Sequence, residues 1–425
     1  MSAILGVSCY FHDAAAALLR DGDLVAAAEE ERFSRRKHDS GFPAHAIDFC
    51  LEQGGLARGE LDYVVFYEKP LVKLQRIAAT VLATAPRGQA PFARTLEAWT
   101  GERVWIRRRL AERLGVARDR VLFVDHHLAH AASAFLASPF DEAALLTVDG
   151  VGEWTTAAIG RGAPGSVTLE REIRFPHSLG LFYTAFTAFL GFEVNEGEYK
   201  VMGMAPYGEP RLVEEVRRTI DLHGDGSFSL DLDYFAFQHS LARPYSSRFE
   251  ELFGVPARDP RDDFVTAATH PGASRADVER SRVYADIAAS AQAVLEDTVV
   301  GLANEAHRRT GLDTLCLAGG VALNGVANRR LLERTPFTGL FIPPAPGDSG
   351  GALGAALYAD HVLLGRTRRF VMEHAYWGRA YAREEIDAAL AAHGAAYERL
   401  DEEELCAHVS DELAAGRVVG WFQGR

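Results

Sequence analysis

His126 and His130 stand four residues apart in the stretch Asp125-His126-His127-Leu128-Ala129-His130, and two acidic residues in glycine-rich company, Asp149 and Asp348, follow far along the chain. These are metal-ligand residue types. An apolar run at 121–124 reads as a buried strand and 127–137 as a helix, so His126 and His130 project from one face at its first turn. One ion could then be gripped by both imidazoles. Imidazole nitrogens beside carboxylate oxygens suit iron(II), manganese or zinc better than calcium. A histidine pair at this spacing also arises as a satisfied core or capping pair, so the rest of the chain has to decide between the two.

The chain has 425 residues, 48% hydrophobic and 24% charged, which fits a soluble globular enzyme with two similar lobes and an appendage. No apolar run approaches the ~18 residues a membrane span needs. The N-terminus lacks a basic leader and is interrupted by His12 and Asp13, so it reads as a first strand and not as an export signal. Cys9, Cys50, Cys316 and Cys406 are scattered without a paired spacing, which argues against disulfides and a thiolate zinc site and points to the reducing cytoplasm. A net charge of −14 excludes nonspecific nucleic-acid or anionic-membrane binding as a main role. The basic run Arg35-Arg36-Lys37-His38 could meet an anionic ligand, although such runs are more often solvated loops.

Two triplets of strands frame the histidines. The first is expected at 4–10, 14–19 and 24–28, with Asp21-Gly22 as a hairpin turn; the second at 143–149, 154–159 and 167–175, with a Gly/Pro turn at 160–165. This repeat predicts an α/β, internally duplicated fold with lobes of about 1–140 and 141–364. A helix is expected at 285–307. Strand–loop–helix units follow: strand 315–318, loop 319–324 and helix 325–333, then strand 340–342, loop 343–351 and a helix through 364. Backbone amides at such loops suit a phosphate or another anion, which makes Gly150, Gly152, Gly319, Gly320 and Asn324 candidate cofactor-binding residues. Residues 365–370 read as a linker. Beyond it, helices at 382–392 and 402–415 and a strand at 418–423 read as the start of another α/β domain. A strand there without partners would leave an open edge, so the chain is expected to be the front part of a longer polypeptide.

The sequence resembles the NodU-type O-carbamoyltransferases of nodulation-factor and antibiotic biosynthesis, relatives of the tRNA threonylcarbamoyl-adenosine synthesis protein. The resemblance rests on Phe11-His12-Asp13-Ala14-Ala15, on 28–33 with Lys37 and His38, on 125–130, 148–152 and 176–183, on Glu196-Gly197-Glu198-Tyr199-Lys200 and its continuation to Gly208, on 319–324, and on Gly347-Asp348-Ser349-Gly350-Gly351. It implies a duplicated fold of the actin/Hsp70/sugar-kinase type and an iron ion held by His126, His130, Asp149 and Asp348. It further implies that a YrdC-like C-terminal domain, of which 371–425 is the incomplete beginning, makes carbamoyl-adenylate from carbamoyl phosphate and ATP. The N-terminal domain then passes the carbamoyl group to a hydroxyl of a small-molecule acceptor.

That transfer needs a base for the hydroxyl proton and positive charge near the departing phosphate. His12 is the expected base, because imidazole titrates near neutrality, and Lys37 is expected to hold the acyl oxygen or the phosphate. Glu198 and Lys200 either line the acceptor pocket or pair with each other. The identity of the acceptor is open, and a homodimer is left open as the assembly. Rival readings are an ATP-dependent kinase of the same fold, with Ser8 where such kinases carry an aspartate, and a noncatalytic metal-binding scaffold.

Overall fold

The computed structural model describes residues 2–88, 99, 103–240 and 242–425. They form two compact units, 2–373 and 374–425. The first unit opens with strands β1 (Ala3–Ser8), β2 (Ala15–Arg20) and β3 (Asp23–Glu29), then helix α1 (Ala44–Gly54), strand β4 (Tyr63–Phe66), helix α2 (Pro70–Thr84), strand β5 (Val121–Phe123) and helix α3 (His126–Phe135). Its second half repeats the plan: β6 (Ala143–Val148), β7 (Thr155–Ala163), β8 (Ser166–Arg174), helices α4 (Leu179–Phe189), α5 (Glu198–Met204) and α6 (Arg275–Thr310), then β9 (Thr314–Ala318), α7 (Gly325–Arg334), β10 (Gly339–Phe341) and α8 (Asp348–Tyr358).

The two sheets have the same strand order, β3-β2-β1-β4-β5 and β8-β7-β6-β9-β10. In each, the first three strands pair antiparallel and the last two join parallel to the first. The fold is therefore the duplicated actin/Hsp70/sugar-kinase-like one. Burial follows the pairing: β1 and β6, at the centre of their sheets, are buried at every residue, whereas the edge strand β8 buries only Val167.

The closing helices are exchanged between the halves. α3 ends the first half yet packs on the second sheet, and α8 ends the second half yet packs on β1, β2 and α3. Small residues permit the crossing: a Cβ at Gly354 would lie 1.8 Å from the Ala129 carbonyl oxygen, and one at Gly6 1.8 Å from that of Ala352. Behind α4 lies an aromatic core in which Phe182, Phe186, Phe189, Phe235 and Phe249 are all buried.

Three elements depart from expectation. β7 continues through Gly160 and Gly162, where a turn was expected. Their missing side chains answer close packing, since a Cβ would stand 1.9 Å from Thr168 O and 2.5 Å from the Phe135 ring. α6 starts ten residues early, at Arg275, because its first turns are polar and exposed and carry no apolar stripe; the Ser274 side chain caps them. Residues 418–423 form no strand, as no neighbouring backbone pairs with them.

The first unit continues to Glu373, past the stretch 365–370 read as a linker from its basic composition. Arg366 bonds Asp360 at 2.7 Å, and Arg368 bonds the carbonyls of Phe135, Ser138 and Phe140. The second unit holds helices α9 (Arg383–Ala392) and α10 (Glu402–Ala414), the latter with an Asp401/Glu404 capping box, and neither helix buries a residue. Among the described residues no helix is long and apolar enough to cross a membrane.

Candidate metal centre

The exchange of closing helices brings four distant side chains to one point. His126 and His130 lie on one face of α3, one turn apart, Asp149 follows the last residue of β6, and Asp348 opens α8. All four are buried, and each offers a ligand atom within 4.8 Å of the others.

The spacing is that of ligands around a single cation. His126 Nε2 and His130 Nε2 face each other at 3.0 Å. Asp149 Oδ2 is 3.2 Å from His126 Nε2 and 4.0 Å from His130 Nε2, while Asp348 Oδ1 is 3.5 and 3.6 Å from the same two atoms. Around an ion with bonds of about 2.1 Å, adjacent ligands lie about 3.0 Å apart in an octahedron and about 3.4 Å in a tetrahedron, and opposite ligands of an octahedron about 4.2 Å. The observed set falls within those limits. At most one proton can sit between two facing imidazole nitrogens, so a positive centre shared by the four groups is the arrangement that relieves the contact. Burial opposes a charge on His126, but Asp348 and Asp149 outweigh it and raise the ring to about 9. Asp149 is held well below the usual carboxylate range: burial opposes this, and His126 and His130 prevail.

The surroundings fix each ligand. Gly320 N–H donates to Asp149 Oδ1 at 2.8 Å, and Asp149 N–H is held by Thr156 O at 2.8 Å. Tyr67 OH approaches Asp348 Oδ2 at 3.5 Å. Glu153 accepts the His126 N–H at 3.1 and 3.2 Å and the Lys69 N–H at 2.7 Å. A residue of the second half thus caps α3, whereas its own N-cap Asp125 turns to Lys69 Nζ at 2.7 Å. The Nδ1 atoms of His126 and His130 have no hydrogen-bond partner among the described residues.

The glycine loops serve this centre closely. Gly319 is left-handed at φ +98° and a Cβ there would strike Val148 O at 2.2 Å; a Cβ at Gly152 would lie 2.9 Å from the His126 ring. A Cβ at Gly150 would meet nothing. The Asn324 side chain accepts the Ala327 N–H at 3.0 Å as the cap of α7 and exchanges bonds with Gln292.

His12 stands in a second cluster. Its Nδ1 donates to Asp13 Oδ2 at 2.6 Å and its Nε2 to the Asn195 carbonyl at 2.9 Å, while His38 Nδ1 donates to Asp13 Oδ1 at 2.7 Å. Burial alone would lower the ring, but the Asp13 hydrogen bond and charge, the Asn195 carbonyl and Asp348 together raise it to about 9. The expected titration near neutrality is therefore corrected: acceptors at both nitrogens hold the ring as an imidazolium. Lys37 is not drawn into this cluster; it is 61% exposed, with its Nζ 3.5 Å from Glu31 Oε1. Glu198 and Lys200 do not pair. Glu198 accepts from Thr184 Oγ1 at 2.9 Å and from the Asn195 N–H at 3.1 Å, and Lys200 lies over the Tyr199 ring.

Sequence reasoning missed Asp13, His38, Glu153, Tyr67 and Gly180. Asp13 and His38 were within reach, since each adjoins a residue singled out for chemistry. Gly180 carried no local signal; a Cβ there would lie 2.7 Å from the Asp149 carbonyl oxygen.

Residues 3–357 match the family described as carbamoyltransferase N-terminus. An uncharacterized protein of Synechocystis sp. is 45% identical, covering 100% of this chain and 69% of its own length. Nodulation protein NolNO of Sinorhizobium fredii is 31% identical over 98% of this chain and 56% of its own length, and nodulation protein NolO of Bradyrhizobium diazoefficiens 32% identical over 71% and 50%. The chain thus spans between half and about two thirds of the length of these relatives. Among solved structures, component A of (R)-2-hydroxyglutaryl-CoA dehydratase from Acidaminococcus fermentans matches at 13% identity and TM-score 0.42, over 84% of this chain and 97% of that one. HypF of T. kodakarensis matches at 16% identity and TM-score 0.39, over 86% and 48%. Those two likenesses are too loose to argue from, and the fold assignment rests on the repeated strand order. The chain belongs to the carbamoyltransferase family of the NodU and NolO type, a family of enzymes, and contains its N-terminal domain.

Proposed function

We propose that the first unit catalyses O-carbamoyl transfer from carbamoyl-adenylate to a hydroxyl of a small-molecule acceptor. The observation that carries this reading is the convergence of His126, His130, Asp149 and Asp348 on one point in a chain of this family. The donor set, two imidazoles and two carboxylates, suits iron(II) or another divalent transition metal. When bound, such an ion would supply positive charge for a phosphate without a proton being consumed.

The chain's own groups account for the rest. The acceptor oxygen bonds to the carbamoyl carbon, the carbon–oxygen bond to the phosphate breaks, and its electron pair leaves with AMP. The hydroxyl proton passes to His12 Nε2 in its neutral form, once the acceptor takes the place of the Asn195 carbonyl. A ring raised to about 9 is a strong base that must first shed its proton. Gly150, Gly152, Gly319 and Gly320 stand at the ends of β6 and β9, where backbone can lie against a nucleotide. Asn324 fixes the loop that follows, and Lys37, free to swing, meets the acyl oxygen or the phosphate. The second unit, 374–425, is proposed to belong to a YrdC-like domain that forms carbamoyl-adenylate from carbamoyl phosphate and ATP.

The test supplies the 425-residue chain with preformed carbamoyl-adenylate and a panel of sugar, aminoglycoside and macrolide hydroxyl acceptors. AMP release that depends on an acceptor, with a carbamoyl group gained by that acceptor, is the expected result. His130→Ala should lose both the metal, measured by elemental analysis, and the transfer; full activity in the metal-free variant would defeat the reading.

A further inference from the structure

The described residues include six non-glycine positions in the left-handed region: Tyr10, Asp13, Asp21, Arg35, His38 and Asn195, with φ between 43° and 74°. All but Asp21 belong to three turns that meet at His12. Backbone bonds tie the first two turns, from Tyr10 N–H to Ser40 O at 2.7 Å and from Ala14 N–H to Asp39 O at 2.8 Å. The third turn delivers the Asn195 carbonyl to His12 Nε2. Strained backbone persists only where its surroundings over-determine it, and such positions gather at working sites.

What the strained turns hold in place is one carboxylate shared by two rings. Asp13 gives Oδ2 to His12 and Oδ1 to His38, and the two rings lie 4.5 Å apart at a 30° tilt. Both oxygens are used, so Asp13 cannot turn without breaking a bond to one ring. We infer that Asp13 is a positioning residue for the transfer reaction. It fixes His12 with Nδ1 inward and Nε2 outward, aimed at the point the Asn195 carbonyl now occupies, and His38 braces Asp13 from the other side. This inference rests on the function proposed above. A carbonyl oxygen at 2.9 Å stands in for the acceptor hydroxyl oxygen, so the turn bearing Asn195 has to yield when the acceptor binds. Glu198, which holds the Asn195 N–H, sets how readily it does so.

Among the described residues, the titratable groups facing His12 are Asp13 and His38 from the two tied turns and Asp348 from α8. Nearby, Lys73 of α2 lies over the Phe11 ring, and Lys37 and Glu31 lie beyond His38. Among the described residues, Asp13 is the opposite charge in contact with the His12 side chain, so its removal takes away the largest raising contribution.

Asp13→Asn is the decisive variant, because asparagine tolerates the left-handed backbone while removing the charge. Two measurements on the 425-residue chain are needed. Titration of His12 by NMR should move from about 9 in the wild type toward 6.5 in the variant. On the alkaline plateau above pH 9, where the ring is neutral in both proteins, transfer from preformed carbamoyl-adenylate should lose at least about 10-fold in kcat with KM little changed, and the alkaline rise of the rate should shift down with the ring. Asp13→Glu, which keeps the charge, should recover part of the titration shift and of kcat. An unchanged His12 titration in Asp13→Asn overturns the inference, as does a shifted titration with wild-type kcat. A wild-type chain that releases no AMP defeats the proposed function, and the titration then decides the Asp13 pairing by itself.

Discussion

Removing the cation from the His126–His130–Asp149–Asp348 centre should make the stability of the first unit fall as pH rises, and restoring the cation should cancel the fall. Without an ion, the compensating positive charge is a proton on His126, whose ring is raised from 6.5 to about 9 by Asp348 and Asp149 against the cost of burial. A group with a raised folded pKa contributes stability that is complete below 6.5 and is lost as pH climbs through about 9. At about 1.4 kcal/mol per pH unit, the gap corresponds to roughly 3 kcal/mol, and full burial leaves little solvent screening to discount. Unfolding entropy of about 2.1 cal/mol/K per residue over this unit converts that to a Tm change of about 4 °C.

Melting curves with chelator and with excess iron(II) or zinc, at pH 6.5, 7.5 and 9, check this. His12 has the same sign of shift, so the informative quantity is the difference between the two curves at each pH, in which other titrations cancel. That difference should grow by about 4 °C from pH 6.5 to 9, because the ion and the proton compete for the same nitrogens. A difference that stays flat, or shrinks, would refute the claim that the four groups share one cation.

Phe249→Ala, in the aromatic core behind α4, should cost about 3–5 kcal/mol in denaturant unfolding and leave metal content unchanged. Lys37→Ala removes an exposed side chain that pairs with Glu31, so stability should stay within about 0.5 kcal/mol. A fall in transfer rate in that variant would then report a contact with the carbamoyl donor.

The strand triplets were legible because hydrophobic runs and turn residues are local properties, and the repeat at 143–175 declared the duplication before any contact was known. The α3 face was legible for the same reason, since spacing of four on a helix is a local fact. The cap of His126 by Glu153 was not, because it joins residues of different halves and Asp125 stood in the position where sequence rules put a cap. Gly160 and Gly162 misled in the opposite way: glycine signals a turn locally, but here it answers the closeness of Thr168 and Phe135, which only the tertiary arrangement creates. For His12 the residue type was legible and its charge was not, because the charge depends on Asp13 and Asn195 closing on both nitrogens.

The exchanged helices make the candidate metal centre a gauge of how the two halves dock. His126 and His130 ride on α3, Asp348 on α8, and the helices touch where a Cβ on Gly354 would meet the Ala129 carbonyl oxygen at 1.8 Å and Ser133 N at 2.9 Å. Gly354→Ala must therefore push the helices apart by an ångström or more, at about 1–3 kcal/mol for an overpacked core. Metal–ligand bonds tolerate only about 0.2 Å, so the same displacement should weaken ion binding in a way that Phe249→Ala does not, although Phe249→Ala destabilises as much or more. Binding isotherms for zinc on both variants, measured at a temperature where each is folded, separate local geometry from global stability. Equal zinc affinity in Gly354→Ala and wild type would mean that the ligand set does not depend on the crossing of α3 and α8.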